Sequence, residues 1–439
     1  MWSRLNSGSG GGEIEVVNGI VEKFKAYEDD ISPNTFIKFV NRLNEANHQN
    51  IAAMDYACSA DAVILDDKRL FLACSAGNSN ANRLKLYAAV LTIENGAITT
   101  GTRVLISEIV GYRGLEVVKL SSGKIYIQAI NNSESSTGYS MCTVSGSEIS
   151  STEMVWGIQD YYSCNPMCAA VEVSSNKIVS AFPDTGDSST AQYTGKPHAR
   201  ILNVASNGEI TKGSQLLIDS NEPPYSGNNA ELIKISSTKV LLLYGIVKGV
   251  VLSISGDTIT KGTILTIDRE YMYGGKEGSC LLDNGKIAVA VNKNLYILSV
   301  SGNTITIEKT YELPDKMNST DSRKTVTQIS TEHLLVANVD LYSSKTMQGC
   351  LISISSGKVY GGVVEIVGTT SDLAQQAFLA LKLKEDGVFM LETGARKAGP
   401  NTQIINDAEV KIDIASDAIE GIATDKATKS MSGKAWYLK

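Results

Sequence analysis

The sequence predicts an all-β fold: a β-propeller of seven blades, or six, inserted into a small β module made by the N- and C-terminal segments. Three observations carry this reading: a phrase that recurs seven times, a second turn within each recurrence, and chain ends that belong to neither. The phrase is an apolar residue, a short polar turn, then an apolar or β-branched run. It reads LDDKRLFLAC (Leu65 to Cys74), LSSGKIYIQA (Leu120 to Ala129), VSSNKIVSAF (Val173 to Phe182), ISSTKVLLLY (Ile235 to Tyr244), LDNGKIAVAV (Leu282 to Val291), ISTEHLLVAN (Ile329 to Asn338) and LKEDGVFMLE (Leu383 to Glu392). Successive starts at 65, 120, 173, 235, 282, 329 and 383 are 55, 53, 62, 47, 47 and 54 residues apart. A period of that size in a strand-rich chain is what one blade per repeat produces.

Each repeat carries a second tight turn, as in ENGAITTG (Glu94 to Gly101), SGSEISS (Ser145 to Ser151), NGEITKG (Asn207 to Gly213), SGDTITKG (Ser255 to Gly262), SGNTITI (Ser301 to Ile307) and SSGKVYGG (Ser355 to Gly362). INDAEVKI (Ile405 to Ile412) is a weaker seventh copy. Gly, Asn and Asp at these places suit hairpins that need positive φ. The repeat therefore reads as four strands, and the fourth copy gives them as Ala230 to Ser236, Lys239 to Gly245, Gly249 to Ser255 and Thr263 to Asp268. Near-continuous apolar runs in the middle two strands fit burial on both faces between neighbours. A β-sandwich or a stacked solenoid would also accommodate the strand pattern. The count of six rather than seven blades stays open because Ala395 to Asn406 is long for a strand connection.

The chain has 439 residues, and propellers reach this length by repetition rather than by adding domains. Its 40 basic and 47 acidic residues leave a net charge of -7, a balance that repels phosphate and argues against a nucleic-acid partner. No stretch approaches the roughly 18 apolar residues of a membrane span. The N-terminus lacks the apolar core of a signal peptide. Seven Cys (Cys58, Cys74, Cys142, Cys164, Cys168, Cys280, Cys350) are an odd number set mostly in apolar runs, as for reduced core residues.

The two kinds of connection in a four-stranded meander lie at opposite ends. The first-to-second and third-to-fourth turns are uniformly short. The second-to-third connections are long and variable: Ser75 to Arg83, Asn131 to Gly138, Pro183 to Pro197, Asp340 to Gly349 and Gly394 to Gln403. At that same end the blade-to-blade connections carry the aromatics, in GYRG (Gly111 to Gly114), WGIQDYYSCNPM (Trp156 to Met167), SNEPPYSGNN (Ser220 to Asn229), REYMYGGKEG (Arg269 to Gly278) and LPDKMNSTDSRK (Leu313 to Lys324). Loops on a rigid scaffold are where binding usually resides. Tyr and Trp offer stiff amphipathic planes for sugar faces or protein surfaces. The candidate ligand-binding residues are Tyr112, Arg113, Trp156, Tyr161, Tyr162, Tyr225, Arg269, Tyr271, Tyr273 and Tyr342. Some would instead brace neighbouring loops or plug the channel.

Signals for catalysis are sparse. There are three His, no HExxH, no G-x-S-x-G and no Walker sequence. The second turns also lack the Trp of the sialidase S-x-D-x-G-x-x-W box. Rim acids Asp160, Asp184, Asp187, Glu222, Glu270 and Glu277 could pair as glycosidase carboxylates, but solvated loop acids are far commoner. DTGDSS (Asp184 to Ser189) departs from the EF-hand pattern, and no metal or cofactor is expected.

The segments Gly12 to Asn41 and Ala418 to Lys439 fall outside the seven phrases, and neither could bury a core alone. They are expected to pair into one module, giving an extended arm at 1–12, a discontinuous module at 13–50 plus 413–439, and the propeller at 51–412. ISPNTFIKFVN (Ile31 to Asn41), IEGIA (Ile419 to Ala423) followed by GKAW (Gly433 to Trp436), and the opening MWS with its Gly/Ser run resemble the ends of tail-fibre and receptor-binding proteins of phages and phage-tail-like bacteriocins that attack clostridia. The resemblance covers about a sixth of the chain. It implies a structural tail or baseplate protein, a homotrimer, that binds other tail or baseplate proteins and displays a domain for a host surface glycan or surface-layer protein. It also implies assembly in the bacterial cytoplasm without membrane insertion, with Trp2 available as a docking anchor. A polysaccharide-degrading propeller and a purely architectural baseplate or decoration subunit are the alternatives.

Overall fold

The computed structural model describes residues 16–438 apart from 27–35, 41–46, 51–56, 77–83, 96, 111–113, 132–135, 161–167, 185–195, 222–229, 270–277, 318–321, 341–346, 367–377, 384–386, 393–400, 406–410, 415–420 and 424–432. Among the described residues every regular element is a strand, save one 3-10 turn at Asp315–Met317. The strands form seven four-stranded antiparallel meanders and one closed five-stranded barrel.

The meanders are the blades of a ring. Their innermost strands are Ala57–Ile64, Leu115–Lys119, Ala169–Ser174, Ala230–Ser236, Ser279–Leu281, Ser322–Gln328 and Phe378–Lys382. Each lies beside the next, and the seventh lies beside the first, so the count is seven and the ring is closed. The seventh sheet takes three strands from the C-terminal side, Phe378–Lys382, Val388–Glu392 and Asn401–Ile405. Its outer strand, Asn47–Asn50, comes from before the first blade. Asn47 to Asn50 was expected in the terminal module; it belongs to the propeller because its hydrogen-bonding edge is taken by Asn401–Ile405.

Alternation with period two explains why the middle strands are apolar throughout. In blade 4, Leu241, Leu243 and Val251 pack against Ile287 and Val289 of blade 5. The intervening Val240, Leu242 and Val250 pack against Val179, Ala181 and Ile201 of blade 3. A blade thus has no solvent face, and successive side chains serve opposite neighbours. Blade 1 repeats the pattern, with Phe71 and Ala73 toward blade 2 and Leu70, Leu72 and Cys74 toward blade 7. Cys74, Cys142, Cys168 and Cys350 are buried and unbridged. Burial pushes the Cys142 and Cys350 thiols up to about 12, as in inert core positions.

The outer strand departs from expectation. Thr263 to Asp268 was read as the fourth strand of blade 4, but that strand begins at Thr258–Lys261, directly after the turn, and breaks at Gly262. Leu265–Thr266 then resumes pairing with the same third strand. Blades 1 and 2 break likewise, between Ala97–Thr100 and Val104–Val110 and between Glu148–Ser151 and Val155–Asp160. The register of blade 3 shifts opposite Arg200 to Leu202. Bulges of this kind twist an edge strand away from pairing with another chain.

At the break, the outer strands of blades 1 and 4 lean on the second turn of the following blade. A Cβ at Gly262 would lie 2.1 Å from the Asn303 carbonyl oxygen, and one at Gly101 would lie 3.3 Å from that of Ser147. Gly256, at φ +57 in the blade 4 turn, has open space around it instead. Gly256→Ala should therefore cost only the strain of its backbone, about 1 kcal/mol. Gly262→Ala must displace the neighbouring blade and should cost about 2–4 kcal/mol, read as the difference in urea midpoints.

The terminal barrel joins both chain ends. Val16–Ala26 pairs with Lys411–Ile414 in parallel and with Gly433–Leu438 antiparallel; Phe36–Val40 bridges Lys411–Ile414 and Gly421–Ala423; and Gly421–Ala423 closes onto Gly433–Leu438. The strand that contributes Lys411 and Ile412 was expected in the propeller. The short motifs around Phe36 to Val40, Gly421 to Ala423 and Gly433 to Trp436 are thus barrel strands. The arm at 1–12, with Trp2, lies outside the described residues.

Candidate binding face

The two faces of the propeller are built by different chemistry. On the face with the first and second turns, the fifth residue of the phrase reaches across to the next blade. Arg69 donates to the Gly146 carbonyl, Lys124 to Ser206 at 2.7 Å, Lys177 to Gly256 at 2.6 Å and Lys239 to Gly302 at 2.6 Å. Each acceptor sits in the second turn of the following blade. In blade 5, Lys286 instead pairs with Glu308 of its own outer strand. Lys309 and Tyr311 make the crossing to Ser355, the tyrosine at 2.7 Å. A cation donating to a carbonyl on a turn is a charge-assisted hydrogen bond, so this face is stitched blade to blade.

The inner strands are stitched as well. Asp61 accepts from the Val117 amide of blade 2, and Thr325 Oγ1 accepts from the Ala380 amide of blade 7 at 3.1 Å. Glu172 accepts from the amide and hydroxyl of Ser121 at 2.7 and 2.9 Å, tying blade 3 back to the first turn of blade 2. These bonds satisfy amides that an innermost strand would otherwise leave on an open edge.

The connections at the opposite face differ in length. The second-to-third connections of blades 4 and 5 are only three and two residues, Gly245 to Val247 and Asn292 to Lys293. The corresponding connections of blades 1, 2, 3, 6 and 7 are the longer segments 77–83, 132–135, 185–195, 341–346 and 393–400. The blade-to-blade segments that flank blade 4 contain Tyr225, Tyr271 and Tyr273. The sequence therefore puts three candidate aromatics, with Arg269, on the connections before and after blade 4.

Two repeated clusters form the floor there, and they were missed from sequence. In each, the Asp of an Ile-Asp pair following an outer strand holds the next blade. Asp219 accepts from Lys248 Nζ at 2.8 Å, Tyr244 Oη at 3.3 Å and the Asn221 amide at 2.9 Å. Asp268 accepts from Tyr296 Oη at 2.8 Å, and Asn294 donates to that same hydroxyl at 3.0 Å. Burial raises the Asp219 carboxyl, but Lys248, the Asn221 amide and Tyr244 outweigh it and hold the group below its usual 3.8. Burial and the Asp268 carboxylate push the Tyr296 phenol up to about 12. The repeated IDS and IDR at the end of the leucine-containing segments QLLIDS and ILTIDR were the available signal; only pairing across blades gives them meaning.

Of the candidate residues, the structure describes two. Arg269 is exposed beside Asp268, whose carboxylate accepts its amide at 2.7 Å. Trp156 was placed in a connecting loop but lies in the outer strand Val155–Asp160. It is half-buried against the core between blades 1 and 2, and its indole lies on Gly138, where a Cβ would come within 2.5 Å. The third strand and the outer strand pair here because the glycine leaves room for the ring, so packing accounts for this tryptophan. Tyr112, Arg113, Tyr161, Tyr162, Tyr225, Tyr271, Tyr273 and Tyr342 lie outside the described residues, as do Asp187, Glu222, Glu270 and Glu277. Among the described residues no three His, Cys, Asp or Glu side chains group to hold a metal, and no helix is long and apolar enough to cross a membrane.

These features define a class: a seven-bladed β-propeller with one stitched face, one loop-bearing face and a ring closed by an N-terminal strand. Known structures share the fold. The chain is similar over 79% of its length, and 99% of the other, to a putative 6-phosphogluconolactonase from Bacteroides uniformis ATCC 8492, with a TM-score of 0.52 and 10% identity. That likeness shows the fold alone. Two other structures are similar at lower scores. The β-propeller domain of Myceliophteria thermophila Cps50 (Swd1) has a TM-score of 0.46, 10% identity, and coverage of 87% and 99%. A protein of unknown function from Dyadobacter fermentans DSM 18053 has a TM-score of 0.42, 11% identity, and coverage of 90% and 99%. The sequence matches no family model and no curated protein.

The Asp219 cluster gives a pH dependence. A carboxylate held below its unfolded value stabilises the fold above that value and loses the contribution as pH falls through the folded one. Asp219→Asn should lower the urea midpoint at about pH 6, and the gap from wild type should narrow as pH drops below about 4.

Proposed function

We propose that this chain is a structural tail or baseplate protein of a phage or phage-tail-like particle, whose propeller binds a host cell-surface glycan or surface-layer protein through its loop face. The observation that carries this reading is the segregation of connections. The described short turns are hydrogen-bonded to the neighbouring blade on one side, while every long connection emerges on the other. A scaffold of that kind fixes a set of variable loops in one plane, as recognition surfaces require. The aromatic and Asn/Ser-rich composition of those loops suits sugar faces and hydrogen-bonding hydroxyls.

The two termini add the second support. Their motifs resemble the ends of clostridial phage tail-fibre proteins, and the barrel they form is separate from the propeller sheets. Binding without turnover is the expected activity. The likeness to a protein titled a putative lactonase, at 10% identity, supplies no catalytic group for this chain. Other tail or baseplate proteins are the partners at the barrel end, with a homotrimer as the assembly.

Incubating the purified protein with host cell-wall polysaccharide and intact cells tests this reading. Retention on cells with no release of oligosaccharide is expected; released oligosaccharide would replace it with a glycan-cleaving propeller, and absence of any retention with an architectural subunit. Replacing Tyr161, Tyr162, Tyr271 and Tyr273 together by Ala should abolish retention while leaving the urea midpoint within about 0.5 kcal/mol of wild type, because loop changes seldom alter stability more.

A further inference from the structure

Two strand pairings, one in the barrel and one in the seventh blade, share a single register. In the barrel, Phe36–Val40 runs antiparallel to Lys411–Ile414, with Ile37 opposite Ile414 and Val40 opposite Lys411. In the seventh blade, Asn47–Asn50 runs antiparallel to Asn401–Ile405, with Asn47 opposite Ile404 and Asn50 opposite Asn401. From Val40 to Asn47 the chain advances seven residues, and from Lys411 back to Ile404 it retreats seven. The second ladder therefore continues the first with no offset, although its two strands come from opposite ends of the chain.

Two slack tethers have no reason to match in length, and one extra residue on either strand would put the second ladder out of step with the first. An antiparallel pair requires the match, because each step along one strand is answered by one step back along the other. The barrel is also braced on the propeller nearby, where Phe36–Val40 lies beside Val359–Ile366, the outer strand of blade 6.

Register matters here more than elsewhere in the ring. Asn47–Asn50 is the closing strand, it makes four residue pairs, and its sequence, NHQN, has no apolar residue. Register is weakly specified where a strand has no apolar face to bury, and so short a pairing is marginal by itself. The barrel strand that precedes it is fixed on both sides, by Lys411–Ile414 and by Gly421–Ala423.

We infer that the barrel is the lock of the ring: the two ladders act as one, and the barrel sets the register of the Asn47–Asn50 clasp. Prying Phe36–Val40 from Lys411–Ile414 then frees the outer strand of the seventh blade. The fold thus contains a conformational device that passes a disturbance of the barrel to blade 7. None of this depends on what the propeller binds.

Paired insertions in the full-length protein, read by amide hydrogen exchange, test the coupling. Thr-Thr is added after Leu43, after Ala408, or after both; Leu43 is three residues beyond Val40, and Ala408 three before Lys411. Lengthening a slack link by two residues costs little, whereas in a shared ladder it moves one strand about 7 Å against the other. Either single insertion should speed exchange of the Asn401–Ile405 amides by about tenfold or more, and the double insertion should return it to within about threefold of wild type. Single insertions that exchange like wild type, or a double insertion that exchanges as fast as the singles, would overturn the coupling.

Discussion

Closure of the ring is the constraint on which the rest of this structure depends. Each blade is a sheet with two apolar faces, and a four-stranded sheet cannot cover either one by itself. Leu241 and Val240 are neighbours in sequence but are buried by different blades, so opening the circle at any seam strips one apolar face from each of the two blades beside it. The closing element is short and polar: Asn47–Asn50 laid against Asn401–Ile405. Its pairing joins segments more than 350 residues apart, at the loop-entropy cost of tying the two ends of the propeller together. The terminal barrel uses the same two ends, so it fastens the clasp a second time.

Blade contacts are then fixed by polar groups placed where the apolar seam reaches water. The phrase residues Arg69, Lys124, Lys177 and Lys239 bond turn carbonyls of the next blade, and Asp61 and Thr325 bond amides of the next inner strand. Singly, such surface bonds are weak. Repeated around a ring, they hold the blades in one rotational register that apolar packing alone would leave loose, since dispersion and burial have little directional preference. On the loop face the Asp219 and Asp268 clusters perform the same task beneath the short turns of blades 4 and 5.

This division explains what a binding face can vary. Loops that start and end on strands locked by neighbouring blades can change length and composition without disturbing the core. The aromatic residues of the chain follow that division unevenly. Tyr126, Tyr244 and Tyr360 are wholly buried scaffold, and Trp156 packs on Gly138. Aromatic identity alone therefore does not mark a binding residue; position relative to the strand ends does.

The sequence by itself determined the blade repeat, the four strands per blade, the identity of the short-turn face and the pairing of the chain ends. All of these follow from local chemistry: alternation of side chains, turn residues that tolerate positive φ, and apolar segments too short to fold alone. The tertiary structure decided what depends on pairing at a distance. It assigned Asn47–Asn50 to the seventh blade, broke the outer strands at Gly262 and its equivalents, moved Trp156 from loop to packed strand, and revealed the Asp219 and Asp268 clusters. Each of these is a contact between strands that are not neighbours in sequence, several of them in different blades or at opposite ends of the chain. No local pattern encodes such contacts, because the groups that satisfy them become neighbours only when the ring closes.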